Sequence, residues 1–282
     1  MRFLAAVDRS AASEVALARV QALRDLVTSL RLLHVDPGEP SDEARARGVE
    51  LLRSAANAAC LEPRGLTLEV AFGKAPDAIV KAASGRADVV VLGTAARSPL
   101  GRLTHASVAE AVAVRSPVPT LVVRDDLVPA AIERVLVAID FSRPALDALG
   151  VAVFLGQRLR VPLAAIHVMV APPGVVAPTS MARGVPGAVL PPLVGDAARE
   201  LEAFLRRLPL STDVDMTVVA GTPHVAIGRA ARPGDLLVCG THGRPLLERL
   251  VMGSVARKLM RAAPCPIVVV RPKGAADERE VA

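Results

Sequence analysis

An internal repeat constrains the fold of this 282-residue chain more than any other feature. The run FLAAVDRS at residues 3–10 returns as VLVAIDFS at residues 135–142, an offset of 132 residues. Four more segments recur in the same order: LHV at 33–35 with IHV at 166–168, GKAP at 73–76 with GTP at 221–223, DVVVLG at 88–93 with DLLVCG at 235–240, and SPVPTLVVR at 116–124 with APCPIVVVR at 263–271. Because chance does not preserve such an order, we predict two tandem domains, residues 1–124 and 133–272.

Within each copy, short β-branched runs alternate with Ala/Leu/Arg-rich segments of helical length. This alternation indicates βαβ units on a parallel sheet. The first strand is predicted at Phe3–Val7 and Val135–Ile139, and the other strands near 31–35, 67–71, 88–92 and 120–123 and near 163–168, 215–219, 235–239 and 267–270. Ser10 and Ser142 are the expected N-caps of the helix after strand one. Each copy is therefore a small doubly wound α/β domain, with ligands expected after strands one and four.

The second copy is longer than the first, since the offset between the repeats grows to 147 residues by the last matched pair. The additional residues fall in Val170–Pro192, which is rich in Pro and Gly and has no steady period. We predict an inserted irregular loop there.

Composition excludes several function classes. The start of the chain lacks a signal-peptide pattern, and the apolar runs are strand-sized, so we expect a soluble protein without membrane association. Three cysteines at unpatterned spacing favour a reducing cytoplasm over a disulfide framework or a zinc site. The net charge of +6 comes mainly from dispersed Arg, and the chain has no Trp or Tyr and five Phe, so nucleic-acid binding is disfavoured.

The loop after the strand at 235–239 carries the most chemistry. Three glycines, Gly240, Gly243 and Gly253, permit close backbone approach to an anion, and Ser254 stands at the start of the following helix. Arg244 and Arg249 add positive charge. Neither a Walker A sequence nor a Gly-x-Gly-x-x-Gly fingerprint is present. A phosphate cradle is one interpretation; ordinary turn glycines with Ser254 as an N-cap are the other.

The spacing Gly-x2-Gly-x9-Gly-Ser resembles the ATP-binding motif of universal stress proteins, and nearly the whole chain resembles two copies of that family. The resemblance implies Rossmann-like domains of strand order 3-2-1-4-5 and ATP bound with Mg²⁺ or Mn²⁺. It implies that Asp140 contacts the ribose, the Val168 backbone contacts the adenine, and Ala138 lines the pocket. For Asp140, a helix-capping role stays open. The implied phosphate-binding residues are Cys239, Gly240, Thr241, His242, Gly243, Arg244, Gly253, Ser254 and Val255.

The first copy departs from this motif. Gly93 matches Gly240, but Ala96 replaces Gly243 and Ala106 replaces Gly253, while Ser107 is kept. Because each added methyl group obstructs approach of the backbone to a phosphate, we expect the first copy to bind nucleotide weakly or not at all and to act as a scaffold.

The leading functional hypothesis is an ATP-binding stress or regulatory module in the cytoplasm. No catalytic residue is identified, and His34 and His167 are expected in core or capping roles. The alternatives are a slow ATPase or adenylyl-transfer enzyme and a nucleotide-free interaction protein. The resemblance also implies that the last strands of the two copies pair as an internal pseudo-dimer, that a homodimer forms, and that an unidentified protein partner exists.

Overall fold

A computed structural model describes residues 1–61, 65–95, 104–127, 131–170, 191–207, 214–241 and 252–272, with the backbone alone described at 104–107 and 191–194. The chain separates into two compact units, one formed chiefly by Met1–Ala131 and the other by Ile132–Arg249 with Gly253–Lys273. In the described residues no helix is long and apolar enough to cross a membrane.

The first unit is a five-stranded parallel sheet of order β3-β2-β1-β4-β5. Helices α1 and α2 contact each other and pack against the sheet, and so do helices α3 and α4. Its elements are β1 (Arg2–Ala6), α1 (Ala11–Ala22), a 3-10 turn (Arg24–Leu26), β2 (Ser29–Asp36), α2 (Asp42–Ala58), β3 (Leu66–Phe72), α3 (Ala75–Ala83), β4 (Val89–Thr94), α4 (Thr104–Arg115) and β5 (Thr120–Arg124).

The second unit repeats this topology with the order β8-β7-β6-β9-β10, again with parallel pairs. Its elements are β6 (Arg134–Ile139), α5 (Arg143–Leu159), β7 (Leu163–Met169), α6 (Pro191–Leu205), β8 (Val214–Ala220), α7 (Pro223–Ala230), β9 (Asp235–Gly240), α8 (Ser254–Ala262) and β10 (Ile267–Val270). The predicted fold, two tandem doubly wound domains of strand order 3-2-1-4-5, is confirmed.

The central strands form the core of each unit because both of their faces are covered by helices. Leu4, Val90, Val135 and Leu237 have no exposed surface. The edge strands β3 and β8 are only partly buried. The continuous apolar runs that predicted the strands therefore follow from burial on both faces of a parallel sheet.

Two local predictions have different outcomes. Ser10 and Ser142 are N-caps as predicted, since their side chains accept hydrogen bonds from the backbone N–H of Ser13 and Ala145. The predicted end of the inserted loop at Pro192 is wrong, because helix α6 already begins at Pro191. Proline is tolerated in the first turn of a helix, where no intrahelical acceptor is available for an N–H. Most of the predicted loop lies outside the described residues.

Candidate functional site

A cleft of about 380 Å³ lies at the carboxyl ends of β6 and β9. These adjacent strands lie on either side of the point where the strand order reverses, which is where doubly wound sheets bind ligands. Nine of the predicted site residues line the cleft: Ala138, Asp140, Val168, Cys239, Gly240, Thr241, Gly253, Ser254 and Val255. The other three, His242, Gly243 and Arg244, lie outside the described residues.

Sequence reasoning missed one wall of the cleft. Pro223 and Ile227 of α7 line it, together with Val170. Helix α7 follows the GTP segment that matches GKAP of the first copy, so the repeat alignment marked this helix without showing where it packs. With Ala138 and Val168, these residues form a mainly apolar wall. An apolar surface with a few polar groups is typical of small-molecule sites.

Asp140 supplies the carboxylate of the cleft. Its Oδ1 accepts hydrogen bonds from the backbone N–H of Ser142 at 3.0 Å and from the Ser142 hydroxyl at 2.5 Å. Ser142 in turn caps α5 through the backbone N–H of Ala145. Asp140 is therefore not the N-cap of α5; it holds the cap residue in place and remains exposed on the side of the cleft.

The start of α8 supplies backbone N–H groups. Gly253 is its cap residue and Ser254 its first residue, so the interpretation of Ser254 as an N-cap is wrong. The cap has no side-chain hydrogen bond, and the first turn has no acidic residue. The first N–H groups of a helix have no intrahelical acceptor and attract anions. This end of the cleft is suited to an anion.

Hydrogen bonds fix both ends of the glycine-containing loop. The backbone N–H of Gly253 donates to the carbonyl of Thr241 at 2.8 Å, and the N–H of Thr241 donates to the carbonyl of Val270 at 3.0 Å. Thr241 is fully buried. The two residues that flank the loop, Thr241 and Gly253, are therefore hydrogen-bonded to each other, and Thr241 is also bonded to β10.

Gly240 has a packing role independent of any ligand. A Cβ atom at Gly240 would lie 2.8 Å from Cβ and 3.0 Å from the carbonyl carbon of Pro144 in α5. At the matching Gly93, a Cβ would lie 2.2 Å from the carbonyl oxygen of Ala12 in α1. Both glycines let the first turn of a helix approach the sheet. This requirement explains why Gly93 is kept in the copy that lacks the other motif glycines.

Cys239 lies buried beneath the cleft. Burial, with a further contribution from the Asp140 carboxylate, raises the pKa of its thiol to about 12. Since the thiolate is the reactive form of cysteine, Cys239 is an inert wall residue at neutral pH. Within the described part of the chain, no group of three or more His, Cys, Asp and Glu residues is arranged to hold a metal ion.

The first unit differs from the second at the matching positions. Ser107 is the fourth residue of α4, whereas Ser254 is the first residue of α8. A backbone N–H at the fourth position of a helix is already engaged within the helix, so it is not available to a ligand. Ala96 lies outside the described residues, and Ala106 lies within α4.

Sequence comparison matches both halves of the chain to one family. A model of the universal stress protein family matches residues 1–124 and 131–271. The chain belongs to the universal stress protein family. It is 29% identical to a universal stress protein of Mycolicibacterium smegmatis, over 96% of this chain and 97% of that protein. It is also 30% identical to a universal stress protein of Mycobacterium tuberculosis, over 67% of this chain and 63% of that protein.

Structural comparison agrees on the fold. The crystal structure of a universal stress protein from Archaeoglobus fulgidus superposes with a TM-score of 0.66 at 23% identity. The match covers 96% of this chain and 98% of that chain. The fold of this chain therefore has a solved counterpart of nearly the same length.

Proposed function

We propose that this universal stress protein binds ATP through its C-terminal domain, residues 133–272, and acts as a nucleotide-responsive regulatory module in the cytoplasm. One observation carries the proposal: an apolar wall, an exposed carboxylate and a helix start without a side-chain cap meet in one cleft. ATP has a flat base with apolar faces, a ribose diol and a polyphosphate. These three parts match the apolar wall, the carboxylate and the helix start, respectively.

The base is assigned to the apolar wall. Ala138, Val168 and Ile227 come from β6, β7 and α7 and line the same cleft. Val168 and Ile227 are themselves buried, so the side chains of this wall are packed into the core of the domain. Apolar contact with such a wall favours a purine ring, and the Val168 backbone is assigned to its polar edge.

The ribose is assigned to Asp140. Its Oδ1 is occupied by two hydrogen bonds from Ser142, whereas no hydrogen bond from the described residues reaches Oδ2. A carboxylate oxygen accepts hydrogen bonds from hydroxyl groups, and charge-assisted bonds of this kind are stronger than neutral ones. Oδ2 is therefore the acceptor proposed for a ribose hydroxyl.

The phosphates are assigned to the start of α8. The backbone N–H groups of Ser254 and Val255 and the Ser254 hydroxyl are the proposed donors. The N–H of Gly253 is engaged by the Thr241 carbonyl, so Gly253 is assigned to the site because it has no side chain to obstruct the phosphates. His242, Gly243 and Arg244 complete the proposed set by the motif. Mg²⁺ or Mn²⁺ would be held mainly by phosphate oxygens, because the described residues offer no metal-binding cluster of their own.

Calorimetric titration of the full chain with ATP and magnesium tests this proposal through Gly253→Val. Gly253 has φ −59° and ψ 147°, a conformation open to any residue, so the backbone accepts valine while the side chain obstructs the phosphates. We expect ATP affinity to fall at least tenfold. Ala106→Val, the matching change in the first domain, is the control and should leave affinity unchanged. Equal affinity of the wild type and Gly253→Val would contradict the proposed site.

A further inference from the structure

Phe141, directly after Asp140, has a backbone conformation that residues with side chains rarely adopt. Its φ is 63°, in the left-handed region. A non-glycine residue keeps this conformation only where its surroundings impose it, and such residues cluster at functional sites. Phe141 is therefore held in this conformation by its contacts with other residues.

Two aromatic contacts hold Phe141. Its ring lies 4.3 Å, centroid to centroid, from the His167 ring at an interplanar angle of 32°, and 5.6 Å from the Phe204 ring in an edge-to-face arrangement. Phe204 is nearly fully buried in α6. Both geometries are favourable for aromatic pairs. Such pairs stabilise a fold by more than the burial of their surface area alone would.

His167 connects this cluster to the other side of Asp140. Its Nδ1 lies 2.8 Å from the carbonyl oxygen of Ile139, the residue before Asp140. Because a carbonyl only accepts, Nδ1 carries the proton and donates. One imidazole ring therefore holds the chain on both sides of Asp140, through the Ile139 carbonyl and through the Phe141 ring.

The first domain provides an internal comparison in which half of this arrangement is missing. His34 makes the matching contact, with Nδ1 3.0 Å from the carbonyl oxygen of Val7, but Arg9 stands where Phe141 stands. The carboxylate of Asp8 is instead held by Ser13, whose hydroxyl donates to Oδ1 at 2.7 Å in addition to two bonds from Ser10.

The second domain replaces that fixing hydroxyl with a methyl group. Ala145 occupies the position that matches Ser13 and lines the cleft. The Asp140 Oδ1 therefore accepts two hydrogen bonds where the Asp8 Oδ1 accepts three. In the domain with the candidate site, aromatic packing holds the residue after the aspartate, and the carboxylate keeps more of its acceptor capacity for a ligand.

We propose that Phe141 and His167 are positioning residues that aim the Asp140 carboxylate at the nucleotide ribose, so that Phe141 sets the preference for ribonucleotides over deoxynucleotides. This inference rests on the proposed ATP site. Neither residue was predicted for the site from sequence. Phe141 acts through the backbone turn after Asp140 and His167 through the stacked ring and the Ile139 carbonyl.

The test compares dissociation constants for ATP, 2′-deoxy-ATP, 3′-deoxy-ATP and ADP, with magnesium, in the full chain. The wild type should prefer ATP over at least one deoxy analogue by about tenfold, the scale of a hydrogen bond to a charged acceptor. In Phe141→Leu the preference should fall to about twofold, while the ratio of ATP to ADP affinity stays unchanged. A general loss of structure would lower the affinity for all four ligands by a similar factor.

Three further variants keep the test decisive. Asp140→Asn should lose the same preference, and Phe141→Leu combined with Asp140→Asn should lose no more than either alone. Phe141→Gly relieves the backbone conformation while removing the ring, and should also lose the preference if the ring is what positions Asp140. Arg9→Leu, the matching change in the first domain, should have no effect. Thermal unfolding of each variant verifies folding.

The outcomes separate the two proposals. If Asp140→Asn loses the preference while both folded Phe141 variants keep it, the positioning role is overturned and the ATP site stands. Absence of a deoxynucleotide preference in a wild type that binds ATP also overturns the positioning role. Absence of ATP binding by the wild type overturns the proposed function itself.

Discussion

At the residue scale, the glycines of the motif are present for different physical reasons. Gly240 and Gly93 are required because a side chain would collide with the first turn of a helix, whereas Gly253 has a backbone conformation, φ −59° and ψ 147°, that any residue can adopt. The backbone conformation at Gly253 therefore does not require glycine, whereas the packing at Gly240 and Gly93 does. Sequence spacing alone treated all of them as one motif.

Cys239 gives a pH-dependent prediction at this scale. Burial and the nearby Asp140 raise the pKa of its thiol from an ordinary 9.0 to about 12. Above pH 9 the thiol loses its proton in the unfolded chain but keeps it in the folded chain. The free energy of unfolding therefore falls as pH rises. Between pH 8 and 10.5, the wild type should lose about 2 kcal/mol of unfolding free energy relative to Cys239→Ala.

Urea unfolding at both pH values measures this difference. The comparison between the two proteins cancels the other groups that titrate in the same range. A Cys60→Ala variant, which removes an exposed cysteine, is the control for the substitution itself. Parallel pH profiles of the wild type and Cys239→Ala would contradict the assigned environment of the thiol.

At the element scale, matching ion pairs anchor the first strand of each domain to the start of its fourth strand. In the second domain Arg134 binds Asp235 through two hydrogen bonds of 2.9 and 2.6 Å, and the carboxylate side chain is only 2% exposed. In the first domain Arg2 and Asp88 form the matching pair with side chains 50% and 38% exposed. The same connection is thus buried in one copy and solvated in the other.

This difference predicts unequal effects of one substitution. Asp235→Asn leaves the Arg134 guanidinium partly buried without its counter-charge and should lower the unfolding free energy of the second domain by about 3 kcal/mol. Asp88→Asn, the matched control, should cost under about 1 kcal/mol because water screens the exposed pair. Calorimetric melting of both variants measures the contrast, and equal destabilisation would refute it.

Elements were largely predictable from sequence, and contacts between them were not. The strands follow from continuous apolar runs such as DLLVCG at 235–240, whose burial on both faces leaves little ambiguity. The start of α6 at Pro191 was missed because two prolines indicate a loop as readily as a first helical turn. The Phe141, His167 and Phe204 cluster was missed because it joins three segments that no local pattern connects.

At the scale of the whole molecule, the chain carries one domain plan twice with different chemistry in each copy. Both units have the same strand order, the same histidine at the end of the second strand and the same capping serine. They differ in how the strand-one aspartate is fixed and in how the helix after the fourth strand begins. The duplication therefore preserves the scaffold, and the differences that bear on the candidate site lie at the carboxyl ends of the strands.

The number of ATP molecules bound per chain tests the central claim of one functional domain and one scaffold domain. Equilibrium dialysis of the full wild-type chain against radiolabelled ATP with magnesium, at concentrations well above the dissociation constant, measures it directly. The account predicts one ATP per chain. Two per chain would show that the first domain retains a site despite Ala96, Ala106 and the earlier start of α4, and zero would contradict the ATP site itself.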